Sequence, residues 1–115
     1  MPYLLIHTNI DLPDEKQDVL LKALSASVAA ELGKPVAYVM AGFAPKQRMI
    51  FAGSDDPTAF ISLKSIGFPE DSVKSMTAAL CKLVSGQTGI PASRIFVQID
   101  DVKAKYWGLD GNTFG

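Results

Sequence analysis

Apolar residues recur along this chain at two spacings, every second residue in some stretches and every third or fourth in others. From Pro2 to Thr8 the run PYLLIHT is apolar-rich and β-prone, which predicts a strand. LPDEKQDVLLKALSASVAAELGK follows. Pro13 suits a first helical turn, Asp14 and Glu15 sit where the helix dipole favours negative charge, and Leu21, Leu24, Val28 and Leu32 recur at helical spacing. Gly33 is a natural stop. AYVMAGFA (37–44) predicts a second strand, PKQ (45–47) a turn, and RMIFAG (48–53) a further short strand.

From Pro57 the pattern restarts. AFISLKSI (59–66) predicts a strand, PEDSVKSMTAALCKLVSGQTG a helix with Val73, Met76, Leu80, Leu83 and Val84 on one face, and RIFVQID (94–100) another strand. The junction GKPVAYV (33–39) aligns with GIPASRI (89–95), and PYLLI (2–6) fits PTAFI (57–61) with an offset of one residue. The chain therefore predicts an α+β fold. Two βαβ repeats, at about 2–44 and 57–100, form one four-stranded mixed sheet with two helices on one face, within a single domain over 1–115. Strand residues are apolar on both faces: Leu4 and Ile6 alternate with Tyr3 and Leu5, and Ile61 and Leu63 with Phe60. The face without helices needs a cover, and self-association supplies one.

Composition sharpens this. The length of 115 residues fits one domain, and 48% hydrophobic against 20% charged residues agrees with surface buried between subunits. A net charge of −1, with 11 basic and 12 acidic residues and no basic stripe, argues against nucleic acid as a partner. One cysteine, Cys81, excludes an internal disulfide, and with a single histidine a metal centre has only carboxylates to draw on, so neither metal nor cofactor is expected. Cys81 reads as a small buried hydrophobe. No apolar run approaches the roughly 20 residues that span a bilayer, and no signal-peptide pattern opens the chain, so a cytoplasmic protein without a membrane partner is the expectation.

Pro2 invites two readings. Proline cannot donate to a strand ladder, so it fits the first residue of a strand. If Met1 is trimmed, Pro2 instead becomes an amino terminus. An α-amine has an ordinary pKa of about 7.7–8.0, and apolar surroundings or a nearby cation lower it further, which suits a base working near neutral pH.

The segments MP, HTNI, GKP, GSDDP, SLKSIG and GNTF occur in order across the whole chain, and their collinearity resembles the macrophage migration inhibitory factor family of the tautomerase superfamily. That resemblance implies a homotrimer of βαβ-repeat subunits with active sites between neighbours and the amino-terminal Pro2 as catalytic base. It assigns Lys34 and the backbone N–H of Ile66 to a substrate carboxylate, with Ser65 assisting. Of Tyr38, Phe96, Trp107 and Phe114, three map onto family pocket positions, and together the four build an apolar slot for an aryl ring. Lys34 stands where the second repeat has Ile90, so that junction does not demand a lysine.

The chain also departs from the family. Phe96-Val97-Gln98 stands for the familiar Tyr-x-Asn, leaving Gln98 as donor to an enolate oxygen, and Trp107-Gly108-Leu109 stands for Val-Gly-Trp. Thr58-Ala59-Phe60-Ile61 replaces a Cys-x-x-Cys pair, and Leu12 and Lys46 replace the family's surface arginine and aspartate. The resulting expectation is a cofactor-independent keto–enol tautomerase of small aryl α-keto acids, of the phenylpyruvate type, with dopachrome-like substrates within its range. The rivals are a hydratase or dehalogenase drawing on Arg94, Asp100 or Asp101, and a cytokine-like binding protein with vestigial catalysis.

Overall fold

Alternation sets the first strand. In β1 (Tyr3–Thr8) the side chains of Leu4, Ile6 and Thr8 are buried while Tyr3, Leu5 and His7 are half-buried, as expected of a strand with one covered face. The computed structural model describes residues 1–115. α1 (Asp14–Leu32) follows Pro13 and buries Leu20, Leu24 and Val28, with Leu21 and Leu32 half-buried at the edge of the stripe. Gly33 ends it at φ 62°. The Lys34 N–H then reaches the Ala29 carbonyl at 2.9 Å, closing the orphaned end of the helix.

β2 (Met40–Phe43) runs parallel to β1, and β3 (Ala59–Ile66) runs antiparallel to it. α2 (Val73–Thr88) buries Met76, Leu80 and Val84 and ends at Gly89, after which β4 (Ile95–Val102) pairs parallel to β3. The sheet order is β2-β1-β3-β4, so each parallel pair is bridged by one helix. Leu4, Ile6, Ile61 and Leu63 from the sheet join Leu20, Leu24, Met76 and Leu80 from the helices in one buried cluster. The expected mixed sheet with two helices on one face is thus the fold observed. The other face carries Leu5, Phe60, Ser62, Lys64, Phe96 and Gln98 and has no helix over it. A small hairpin, β5 (Gly108–Leu109) with β6 (Asn112–Thr113), closes the chain through Asp110 (φ 53°) and Gly111 (φ 79°), the pair of positive angles that a two-residue hairpin requires.

Two expected strands differ from the structure. The segment 37–44 enters the sheet only at Met40, because Pro35 starts a 3₁₀ turn over Val36–Tyr38 in which the Tyr38 N–H bonds the Pro35 carbonyl at 3.1 Å. The segment 48–53 forms no strand. Phe51 and Ser54 bridge each other across Ala52 and Gly53, both at positive φ, and the Phe51 carbonyl is taken by Arg94 at 3.0 Å. The Phe51 backbone groups have partners outside any ladder, so β-prone side chains there do not make a strand. Cys81 is half-buried rather than part of the core, with Sγ 4.0 Å from the Ala92 carbonyl.

Candidate active site

The start of β1 is held from its neighbour. Pro2 is fully buried and its carbonyl accepts the Met40 N–H at 3.0 Å, which needs nothing from the missing proline N–H. Just past the α1 stop, Lys34 turns inward, donating from Nζ to the Ser65 hydroxyl at 3.3 Å and to the Ile66 carbonyl at 3.3 Å. A solvated lysine at a helix end is not what the structure shows. Ser65 lies fully buried on the helix side of β3, so Lys34 ties the end of β3 to the start of β1.

The same lysine acts on the chain's terminal amine. Partial burial holds the Met1 α-amine below its ordinary value of 8.0, and the Lys34 ammonium lowers it further by repelling the protonated form and by donating a hydrogen bond. With Met1 in place the basic atom is the Met1 amine, because the Pro2 nitrogen is then an amide; removal of Met1 would place the amine on Pro2 beside the same lysine.

A cleft of about 640 Å³ opens at this point, with Pro2 in its wall. Tyr38 from the 3₁₀ turn and Trp107 from the carboxy-terminal segment face it, as does Met1. Tyr3, Tyr106 and Lys64 line it too, and these sequence reasoning missed. All three tyrosines and the only tryptophan of the chain therefore meet in one cleft, while the six phenylalanines lie elsewhere. Alternation along β1 and β3 does put Tyr3 and Lys64 on the face without helices. That they are direct cross-strand partners follows only from the register Tyr3↔Lys64.

Other expected site residues lie apart. Phe114 stands behind Trp107, its N–H bonding the Trp107 carbonyl at 3.0 Å, and is outside the cleft wall. Phe96 sits level with Phe60 and His7, about 16 Å along the sheet from Pro2 at the usual strand rise. Its ring packs on Phe51 and Phe60 at centroid distances of 4.8 and 6.2 Å, yet it stays 54% exposed. Gln98, opposite Ser62, is exposed on the same open face. Within one subunit, neither Phe96 nor Gln98 reaches the cleft at Pro2.

Two of the charges at the β4 ends, Arg94 and Asp101, are not solvated strays. Arg94 donates to the carbonyls of Pro57 and Asp56 at 3.0 Å, Ser54 at 3.2 Å and Phe51 at 3.0 Å, and its guanidinium stacks 5.2 Å from the Phe51 ring. Asp101 accepts the Phe68 N–H at 2.9 Å. Both side chains are committed to loop structure.

The sequence profile described as macrophage migration inhibitory factor matches residues 1–115. A macrophage migration inhibitory factor homologue of Brugia malayi is 39% identical, covering 100% of both chains. The crystal structure of a homologue from Prochlorococcus marinus superposes with a TM-score of 0.92 at 33% identity, over 98% of this chain and 99% of that one. A solved relative described as Pt0534 inactivated by 2-oxo-3-pentynoate gives a TM-score of 0.85 at 28% identity, over 96% and 93% of the two chains. No helix here is long and apolar enough to cross a membrane. The chain belongs to the macrophage migration inhibitory factor family of the tautomerase superfamily.

Proposed function

We propose that this protein is a cofactor-independent keto–enol tautomerase of small aryl α-keto acids, of the phenylpyruvate type, acting as a homotrimer of single domains spanning 1–115. The observation that carries the proposal is Lys34, whose ammonium lies against the chain's terminal amine while bonding Ser65 and the Ile66 carbonyl, next to an aromatic cleft. Once Met1 is removed, the neutral Pro2 amine takes the proton from the carbon beside the substrate carbonyl. The electron pair moves into the enolate, and the protonated amine returns its proton at the other position. Lys34 and the Ile66 N–H hold the carboxylate, Ser65 orients Lys34, and Tyr38 and Trp107 hold the ring.

Phe96, Gln98 and the face without helices support the trimer: the two side chains are exposed, point away from their own subunit's cleft, and become available to a neighbour's. In the assembly Phe96 and Phe114 complete the apolar slot and Gln98 donates to the enolate oxygen. The name of the relative inactivated by 2-oxo-3-pentynoate, itself an α-keto carboxylate, agrees with the substrate class. Of the three side chains a hydratase or dehalogenase would draw on, Arg94 and Asp101 are occupied by backbone groups and Asp100 does not line the cleft.

The test compares protein with Met1 fully removed against protein with Met1 retained, confirmed by intact mass, on phenylpyruvate at equal concentration. The trimmed form should carry nearly all of the activity. Equal rates would show that the Pro2 nitrogen is not the base.

A further inference from the structure

Lys64 has no role in the reading above, yet it is the single charged side chain in the wall of the cleft. Its backbone pairs with Tyr3 on β1, whose ring shares the cleft, and with Asp100 on β4, which does not line it. Ser65, the next residue along β3, points the opposite way and is bonded by Lys34. Lys34 therefore acts on the terminal amine from the helix side of β3, while Lys64, on the open side, stands in the wall of the cleft itself. A third lysine, Lys105, stands 5.1 Å from the ring of Tyr106 at the rim. No carboxylate lines the cleft to offset them.

An ammonium beside aromatic walls is best stabilised by an anion that enters with the ligand. Lys34 already has a carboxylate to hold at the reacting end in the proposed mechanism. We propose that Lys64 is a specificity-determining residue that selects aryl α-keto acids carrying a second anionic group at the end of the ring remote from the keto acid. The α-carboxylate lies at Lys34, the ring lies among the tyrosines and Trp107, and the remote carboxylate meets Lys64. This inference rests on the proposed function for its α-keto acid and on the cleft itself for its second anion.

The experiment uses two matched pairs on the full-length assembled protein. The first compares kcat/KM for 4-carboxyphenylpyruvate and phenylpyruvate. The second compares the affinities of 3-(4-carboxyphenyl)propionate and 3-phenylpropionate, which lack the reacting carbonyl, by calorimetry and by fluorescence of Trp107, the sole tryptophan. Wild type should favour the dianion in both pairs. Lys64→Met should cut that preference about fivefold, the range for a partly exposed ion pair, and Lys64→Arg should keep it. Lys22→Met, which removes one charge from the exposed face of α1, should leave the preference intact. Added salt should narrow the wild-type preference.

A wild type with no preference for the dianion, or the same preference in Lys64→Met, overturns the inference. Loss of turnover on both keto acids, with the binding preference still dependent on Lys64, overturns the tautomerase reading and supports the ligand class.

Discussion

At the end of α1 the chain runs Gly33-Lys34-Pro35 into a 3₁₀ turn over Val36–Tyr38; at the end of α2 it runs Gly89-Ile90-Pro91 into a 3₁₀ turn over Ala92–Arg94. Both glycines are left-handed, at φ 62° and 79°, and both prolines are extended, with ψ 140° and 139°. The backbones are the same and the side chains serve different ends. Lys34 faces the terminal amine and Tyr38 lines the cleft, whereas Ile90 is buried in the core and Arg94 clasps the 51–57 loop. Helix exit and strand entry thus require only a left-handed residue and a proline-started turn. The positions between are free for chemistry in one repeat and for packing in the other.

Exchanging the second residue of each junction should give the largest effect. Ile90→Lys drives an unpaired ammonium into the core and should cost about 4 kcal/mol, read as a fall in the denaturation midpoint. Lys34→Ile, at the equivalent place, leaves the buried Ser65 hydroxyl without its partner and should cost only about 1 kcal/mol. Equal losses would mean that the two junctions are not equivalent in packing.

The last residue of each turn sharpens the contrast. Arg94→Ala removes donors from four backbone carbonyls and should cost about 2 kcal/mol of stability. Tyr38→Ala, at an exposed position, should change stability by less than about 0.5 kcal/mol while weakening binding of aryl ligands.

Lys34→Ala should lower kcat/KM about tenfold, the value of one charge-assisted hydrogen bond. It should also move the pH–rate profile. Burial and the Lys34 ammonium both lower the pKa of the Met1 amine, and the same two influences are expected to act on the Pro2 amine once Met1 is removed. Removing the ammonium lets the protonated amine persist to higher pH, so the neutral base appears later and the rising limb shifts upward. The shift is partial, because burial, the larger cause, remains. A superimposable profile would place Lys34 away from the base.

A last, modest effect should be shared by the two junctions. Gly33→Ala and Gly89→Ala meet no atom within 4 Å of the new Cβ, so only the left-handed backbone resists, at about 1 kcal/mol each. Clearly unequal costs would break the equivalence of the two backbones.

Much of this was legible residue by residue. Pro13, Gly33 and Gly89 mark helix ends because proline and glycine act on their own backbone angles. The contrast of Lys34 with Ile90, visible once the repeats are aligned, singles out the lysine without any coordinates. Less legible was 48–53, where β-prone side chains lose to an arginine 43 residues away in sequence. The role of Arg94 was hidden for the same reason: its partners are carbonyls, and carbonyls carry no sequence identity.

By itself the sequence determined the repeat, the helix ends and the alternation along each strand, because each rests on local periodicity or on the conformational limits of single residues; a place for Lys34 near the amino terminus came only from the family resemblance. Only the tertiary structure decided that Tyr3, Tyr38, Tyr106 and Trp107 share one cleft, that Lys64 is the lone charge in it, and that Phe96 and Gln98 lie beyond its reach. Those facts depend on strand register and on the path of the carboxy-terminal segment. Both are set by the summed packing of distant residues, which no local pattern encodes.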